Sequence, residues 1–63
     1  MTHITAILDA GWFIAGIRVS KGRVLAVAVK RAHNATEHAD APELADCLSE
    51  LRRKVDAWEA DPL

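Results

Sequence analysis

The sequence lacks most of the features that stabilise small secreted or membrane proteins. It has a single cysteine, Cys47, so no disulfide can form within the chain of 63 residues. Its longest apolar run, residues 10–17, is too short to span a membrane. No basic segment precedes an apolar region at the N-terminus, so a secretory signal is not indicated. We therefore expect a cytoplasmic protein without membrane contact.

Glycine and proline are also scarce, at three and two residues, and there is no low-complexity segment. The composition, 51% hydrophobic and 27% charged, is typical of a folded chain and not of a disordered one. A chain of this length forms at most one domain, residues 1–63, near the lower size limit for folding without help. Small domains usually compensate with a disulfide, a metal or a partner chain. With the disulfide excluded, a metal or a partner remains.

Charge is divided along the chain although the net charge is only −1. Residues 1–33 carry five basic side chains and one acidic side chain, whereas residues 34–63 are mainly acidic. We expect the two halves to neutralise each other in the fold.

The first half has the pattern of two successive hairpins. Three apolar runs, about Thr2–Leu8, Trp12–Val19 and Arg23–Ala32, are rich in β-branched and aromatic residues and are predicted to be strands. The triplets 9–11 and 20–22 separate them, and each ends in glycine, as three-residue hairpin loops do. The strand residues would then divide into two sets, one on each face of the sheet. One is Thr5, Ile7, Phe13, Ala15, Ile17, Leu25, Val27 and Val29; the other is Ile4, Ala6, Leu8, Trp12, Ile14, Gly16, Val24, Ala26 and Ala28.

The second half predicts one helix. Asp40 and Glu43 have the spacing of a capping box, and an apolar stripe follows at spacings of four and three residues: Leu44, Leu48, Leu51, Val55 and Trp58. The helix should end at or before Asp61, ahead of Pro62. A polar connection, Ala32–Ala39, would join the sheet to it. The predicted fold is therefore α+β: a three-stranded antiparallel meander followed by one C-terminal helix packed on the sheet.

One helix can cover only one sheet face, and neither face is polar. We therefore expect the second face to be covered by another copy of the chain or by another protein. The outer edges of the first and third strands offer a second route, by strand addition. The predicted interface consists of Ile4, Trp12 and Ile14, with Arg18 and Lys30 at its rim, because aromatic and arginine side chains dominate binding energy.

The spacing Asp9-x-Gly11 at the end of the first predicted strand resembles the opening of RNase H-like folds of the Holliday-junction resolvase type. The order of three antiparallel strands and a helix is also similar. The resemblance implies that Asp9 would bind catalytic magnesium. The 63 residues contain no counterpart of that family's fourth-strand and later carboxylates, and several are needed to hold two metal ions. This alternative is therefore a partial nuclease unit, inactive alone, and otherwise Asp9 only begins a turn.

The histidines, the cysteine and the remaining basic residues do not form a recognisable catalytic or metal-binding motif. His33 and His38 flank Glu37 with one residue too many for the inverted zinc-protease motif, so we expect loop histidines and no cofactor. Cys47 lies on the helix stripe, where a free cysteine behaves as a small hydrophobic residue. Lys21, Arg23 and Arg31 could contact phosphates without sequence specificity, which makes a nucleic-acid binder the third hypothesis. The few aromatic residues provide no stacking platform for it.

The leading interpretation is a small non-enzymatic interaction module. It would associate with itself, as a homodimer, or with a protein partner through the apolar sheet face. Its size alone suggests an inhibitor or an adaptor.

Overall fold

A three-stranded antiparallel sheet with a C-terminal helix on one face forms the body of the chain, as the sequence predicted. The structure is a computed structural model and describes residues 2–60. In chain order the elements are α1 (Thr2–Asp9), β1 (Phe13–Ser20), β2 (Arg23–Lys30), a 3-10 turn (Arg31–His33), β3 (Ala35–Ala41) and α2 (Leu44–Ala60). The strands lie in the order β1-β2-β3. The α+β class is therefore confirmed, and β1 and β2 lie in two of the predicted strand segments, but the predicted first strand is a helix and β3 was predicted as a connection.

The predicted first strand, Thr2–Leu8, is wrong, because this segment forms α1. Ile4 and Ile7 are three residues apart, so a helix places them on one face, and there they pack into the core. Residues with high strand propensity form a helix here because tertiary packing overrides a weak intrinsic preference.

The triplet 9–11 is correspondingly the end of a helix and not a hairpin loop. The amide of Trp12 donates to the carbonyl of Ile7 and the amide of Gly11 donates to that of Leu8, at 3.2 and 3.0 Å. These two bonds define a Schellman motif with Gly11 in its left-handed position, at φ 91°. The motif turns the chain so that Trp12 and Ile7, both buried, enter the same core.

The third strand lies where the sequence predicted a polar connection. β3 covers Ala35–Ala41, and the predicted strand Arg23–Ala32 ends at Lys30. Alanine has a low strand propensity, so the alternation in this segment was not recognised as a strand. Asp40 belongs to β3 and accepts a bond from Arg23 Nε at 3.1 Å, so the capping box is also wrong. The helix begins at Leu44, and the predicted limit at Asp61 lies outside the described residues.

The hairpin between β1 and β2 has a two-residue loop, one residue shorter than predicted. Ser20 pairs with Arg23, and both loop residues have positive φ, 52° at Lys21 and 75° at Gly22. This is the type I′ geometry, whose twist matches that of the flanking strands. The shorter loop shifts the pairing by one residue, so Ile17 lies opposite Ala26 and Val19 opposite Val24.

A bulge at Ala15 cancels this shift farther along β1. Ile14 pairs with Ala28 and Phe13 with Val29, whereas Gly16 pairs with Val27. The predicted faces are therefore correct for the start of β1 and inverted from Gly16 to Val19. Since directly paired residues point to the same side, Ile17 and Val19 lie on the face that carries the helices.

Small side chains on β2 and β3 create the platform on which α2 lies. Ala26, Ala28, Ala39 and Ala41 are buried there. The helix packs mainly on β3 and β2, and α1 packs on α2 beside it. The core also contains buried side chains from both helices and from Trp12, which immediately precedes β1: Ile7, Trp12, Cys47, Leu48, Leu51 and Val55. Because α2 follows the alanines, it leaves the distal half of β1 uncovered.

Candidate interaction surface

Trp12, the aromatic residue of the predicted interface, is buried in the core. Its side chain is 2% exposed and meets Trp58 edge-on, with ring centroids 5.5 Å apart. Its indole Nε1 donates to Glu59 Oε2 at 3.1 Å. The prediction of a free surface at Trp12 is therefore wrong, because the end of α2 covers it. An indole that finds a partner for its N–H can be buried at little cost.

Lys30, predicted at the rim of the same interface, joins this cluster. Its ammonium lies 2.5 Å from Glu59 Oε2 and 5.1 Å from the centroid of the Trp58 ring. The hydrogen bond from Lys30, together with that from Trp12, holds the pKa of the Glu59 carboxyl below its ordinary value. Lys30 therefore fastens β2 to the last turn of α2. Ile4 and Ile14 are also partly buried against the core.

The two charge halves meet at two described ion pairs, Lys30 with Glu59 and Arg23 with Asp40. Within α2, Arg52 forms an ion pair with Asp56 at 3.6 Å. Glu50 of the same helix accepts from Arg53, and Lys54 donates to the His38 carbonyl of β3.

What remains exposed on β1 is an apolar edge. Val19 is 73% exposed and Ile17 is 44% exposed, although both lie on the helix side of the sheet. Arg18, the last of the predicted interface residues, is exposed between them and points to the opposite face with Leu25. Among the described strands, β1 has a partner on one side only. Alternate residues of an edge strand turn N–H and C=O outwards. Counted from the Ser20–Arg23 pair, these are Val19 and Ile17.

The other edge of the sheet, β3, is protected. By the same alternation the backbone groups of Thr36, His38 and Asp40 face outwards, and Lys54 Nζ donates to the His38 carbonyl at 2.7 Å. A lysine across an edge and acidic side chains along it are devices that discourage pairing with another chain. The corresponding stretch of β1, Gly16–Ser20, has Arg18 as its single charged residue.

The sheet face away from the helices is partly apolar as well. Leu25, Val27 and Val29 point to it from β2, and no described element packs over them. A shallow groove lies here beside Gly16 and Arg18. A side-chain carbon added at Gly16 would have no atom within 4 Å, so the groove is open at that position.

The basic residues considered for nucleic-acid binding do not form one patch. Lys21 and Arg23 lie at the β1–β2 turn, and Arg23 is paired with Asp40. Arg31 lies at the other end of β2, where its guanidinium is 5.1 Å from the centroid of the Phe13 ring. Eight residues of strand separate the two ends, a length of about 26 Å.

The remaining polar candidates are scattered over the described residues. Asp9 is exposed and ends a helix, whereas the RNase H-like resemblance places it at the end of a strand, and that resemblance stays a prediction. No group of three His, Cys, Asp or Glu side chains converges anywhere in residues 2–60 to hold a metal ion. Cys47 is buried and donates from Sγ to the Ala39 carbonyl at 3.2 Å, and burial raises its pKa. None of the described helices is both long and apolar enough to cross a bilayer.

Sequence reasoning missed Ile17 and Val19 as exposed residues. The signal was present in the turn: a two-residue Lys21-Gly22 loop, in place of a three-residue loop, turns both side chains to the helix side. Comparison with protein-family models, curated proteins and solved structures finds no match to this chain.

Proposed function

We propose that this chain is a non-enzymatic interaction module that binds a second copy of itself through the free edge of β1. The observation that carries the proposal is the coincidence of two features at Ile17 and Val19. Their side chains are exposed and apolar, and the strand register turns their backbone N–H and C=O away from β2. A strand of this kind is a template for pairing with another strand.

The contrast between the two sheet edges supports this site. Lys54 covers a carbonyl of β3, and acidic side chains lie along that strand. β1 carries no comparable protection between Gly16 and Ser20. The small size of the chain supports a partner as well, since a domain of about 60 residues buries a limited share of its surface by itself.

Sedimentation equilibrium tests the proposal with two matched variants. Ile17 and Leu44 are 44% and 43% exposed. Leu44 is the first residue of α2 and does not belong to β1, so it serves as the matched control. Ile17→Glu places a charge on the edge and should give a monomer with an unchanged circular dichroism spectrum. Leu44→Glu, which suits the first turn of a helix, should leave the assembly as in the wild type.

A wild-type chain that stays a folded monomer over the whole concentration range would overturn the proposal. So would an Ile17→Glu variant that assembles as well as Leu44→Glu does.

A further inference from the structure

We infer that two copies pair antiparallel through β1 with Ile17 at the two-fold axis, which joins their sheets into one of six strands. This inference rests on the proposed function and specifies its register. The occupant of the free edge is a second copy because the edge is complementary to itself in one register.

Three registers bring outward-facing backbone groups together across a two-fold axis. Since Ile17 and Val19 are the residues that face outwards, the axis passes through Ile17, Arg18 or Val19. In an antiparallel pair these choices fix every other contact.

The side chains distinguish the three registers. With the axis at Arg18, the two guanidinium groups would lie directly opposite each other, and like charges in that position are destabilising. With the axis at Val19, Ile17 would lie opposite Lys21 in the turn of the other copy, where the strand has ended. The register at Arg18 pairs Ile17 with Val19 but opposes two like charges, and the register at Val19 leaves Ile17 without a strand partner.

The register centred on Ile17 separates the two arginines and places an apolar side chain at the axis. Ile17 lies opposite its own counterpart, and the regular pairing ends at Gly16, because Ala15 is the bulge residue. Arg18 lies opposite the partner's Gly16, where the face away from the helices has open space and where Leu25 and Val27 are among the residues that line the groove. The aliphatic stem of an arginine can cover such a surface while its guanidinium stays in water.

This pairing also explains a glycine that the isolated chain does not need. Gly16 does not have a positive φ, and a side chain there would meet nothing. A glycine within a strand weakens it and often marks the close approach of another backbone or ligand.

Variants that each add one cysteine to the wild-type chain, at one of three consecutive positions of β1, test the register under oxidising conditions. Ile17→Cys should form the most disulfide-linked dimer, because opposed residues at a two-fold axis lie about 5.5 Å apart between Cα atoms, within the range a disulfide needs. The wild-type chain is the control: its Cys47 is fully buried and should not cross-link.

The outcomes separate this inference from the proposed function. Preferential cross-linking of Arg18→Cys or Val19→Cys would overturn the register and leave a β1 dimer standing. A dimer in sedimentation without cross-linking at any of the three positions would overturn β1 pairing itself. A monomeric wild-type chain would overturn the proposed function, and the register with it.

Gly16→Val gives a second measurement that does not depend on cross-linking. The valine should leave the free energy of unfolding of the monomer unchanged or slightly higher, since the position is open and valine favours strands. It should raise the dimer dissociation constant about tenfold or more, because it fills the space that Arg18 of the other copy enters. Unchanged dimerisation of this variant would contradict the register.

Discussion

Glu59 accepts two side-chain hydrogen bonds that connect distant segments of the chain. Its carboxylate accepts from Trp12 and from Lys30 and thereby connects α2 to the start of β1 and to the end of β2. The ordinary pKa of this group, 4.5, is lowered in the folded chain, with the Lys30 hydrogen bond as the main cause. A carboxyl whose folded pKa is depressed stabilises the fold above its unfolded pKa, and this contribution is lost as the pH falls through the folded pKa.

We therefore expect the Glu59→Gln variant to unfold at a lower urea concentration than the wild type at pH 7. As the pH falls from 5 through the lowered pKa of Glu59, the two unfolding midpoints should converge, because the wild-type carboxylate becomes protonated. Glu43→Gln, which removes the same charge from an exposed position ahead of α2, serves as the control. A difference between wild type and Glu59→Gln that stays constant down to pH 3 would contradict the role of this carboxylate.

The length of the β1–β2 turn sets the register of the hairpin and therefore the face on which Ile17 and Val19 lie. A type I′ turn needs positive φ at both positions, and Lys21 is a poor residue for the first of them. Asparagine tolerates this conformation better than other non-glycine residues. The turn therefore retains a strain that a substitution can relieve.

Lys21→Asn should stabilise the fold by about 0.5–1 kcal/mol, and Gly22→Ala should destabilise it by about 1–2 kcal/mol. Urea unfolding followed by circular dichroism measures both. Lys21→Ala removes the same charge without supplying a residue suited to positive φ, so it should not stabilise. Equal gains for Lys21→Asn and Lys21→Ala would mean that charge, and not backbone conformation, is responsible.

At the scale of the whole molecule, α2 is too narrow for the sheet beneath it. It covers the alanines of β2 and β3 and leaves Ile17 and Val19 of β1 exposed. A second copy at that edge would extend the sheet, and stability would then depend on the concentration of the chain.

The midpoint of thermal unfolding should accordingly rise with concentration, by about 3–6 °C for each tenfold increase when unfolding is linked to dissociation of a dimer. The Ile17→Glu variant should show a midpoint independent of concentration. Differential scanning calorimetry over two decades of concentration makes the comparison. A wild-type midpoint that does not move would indicate that the chain unfolds as a monomer.

Several elements of the fold could be predicted from the sequence. The α2 stripe from Leu48 to Val55, the β2 strand and the glycine that ends the Ser20–Gly22 segment lie where the sequence predicted them, because each depends on local periodicity or local backbone conformation. Leu44, the predicted start of the stripe, is exposed. The α+β class followed from counting three strands and a helix. It was confirmed even though the segment at Thr2–Leu8 is a helix and the third strand comes later.

The candidate site was less predictable than the fold. Trp12 and Ile14 were expected on a free face, yet α2 covers Trp12 and Ile14 is partly buried against the core. Ile17 lies on the face opposite to the predicted one, because the two-residue turn shifts the register by one residue as far as the bulge at Ala15. A shift of one residue reverses the face of every side chain that follows, and no local pattern in this strand distinguishes the two registers.

The sequence by itself determined that this chain has more apolar surface than one helix can cover, since both sides of its strands are apolar. Only the tertiary structure decided where the excess lies. The alanines at 26, 28, 39 and 41 draw α2 over β2 and β3, because close packing favours the helix where side chains are small. That choice protects Trp12 and exposes Ile17 and Val19, and it depends on contacts between segments that are distant in the sequence.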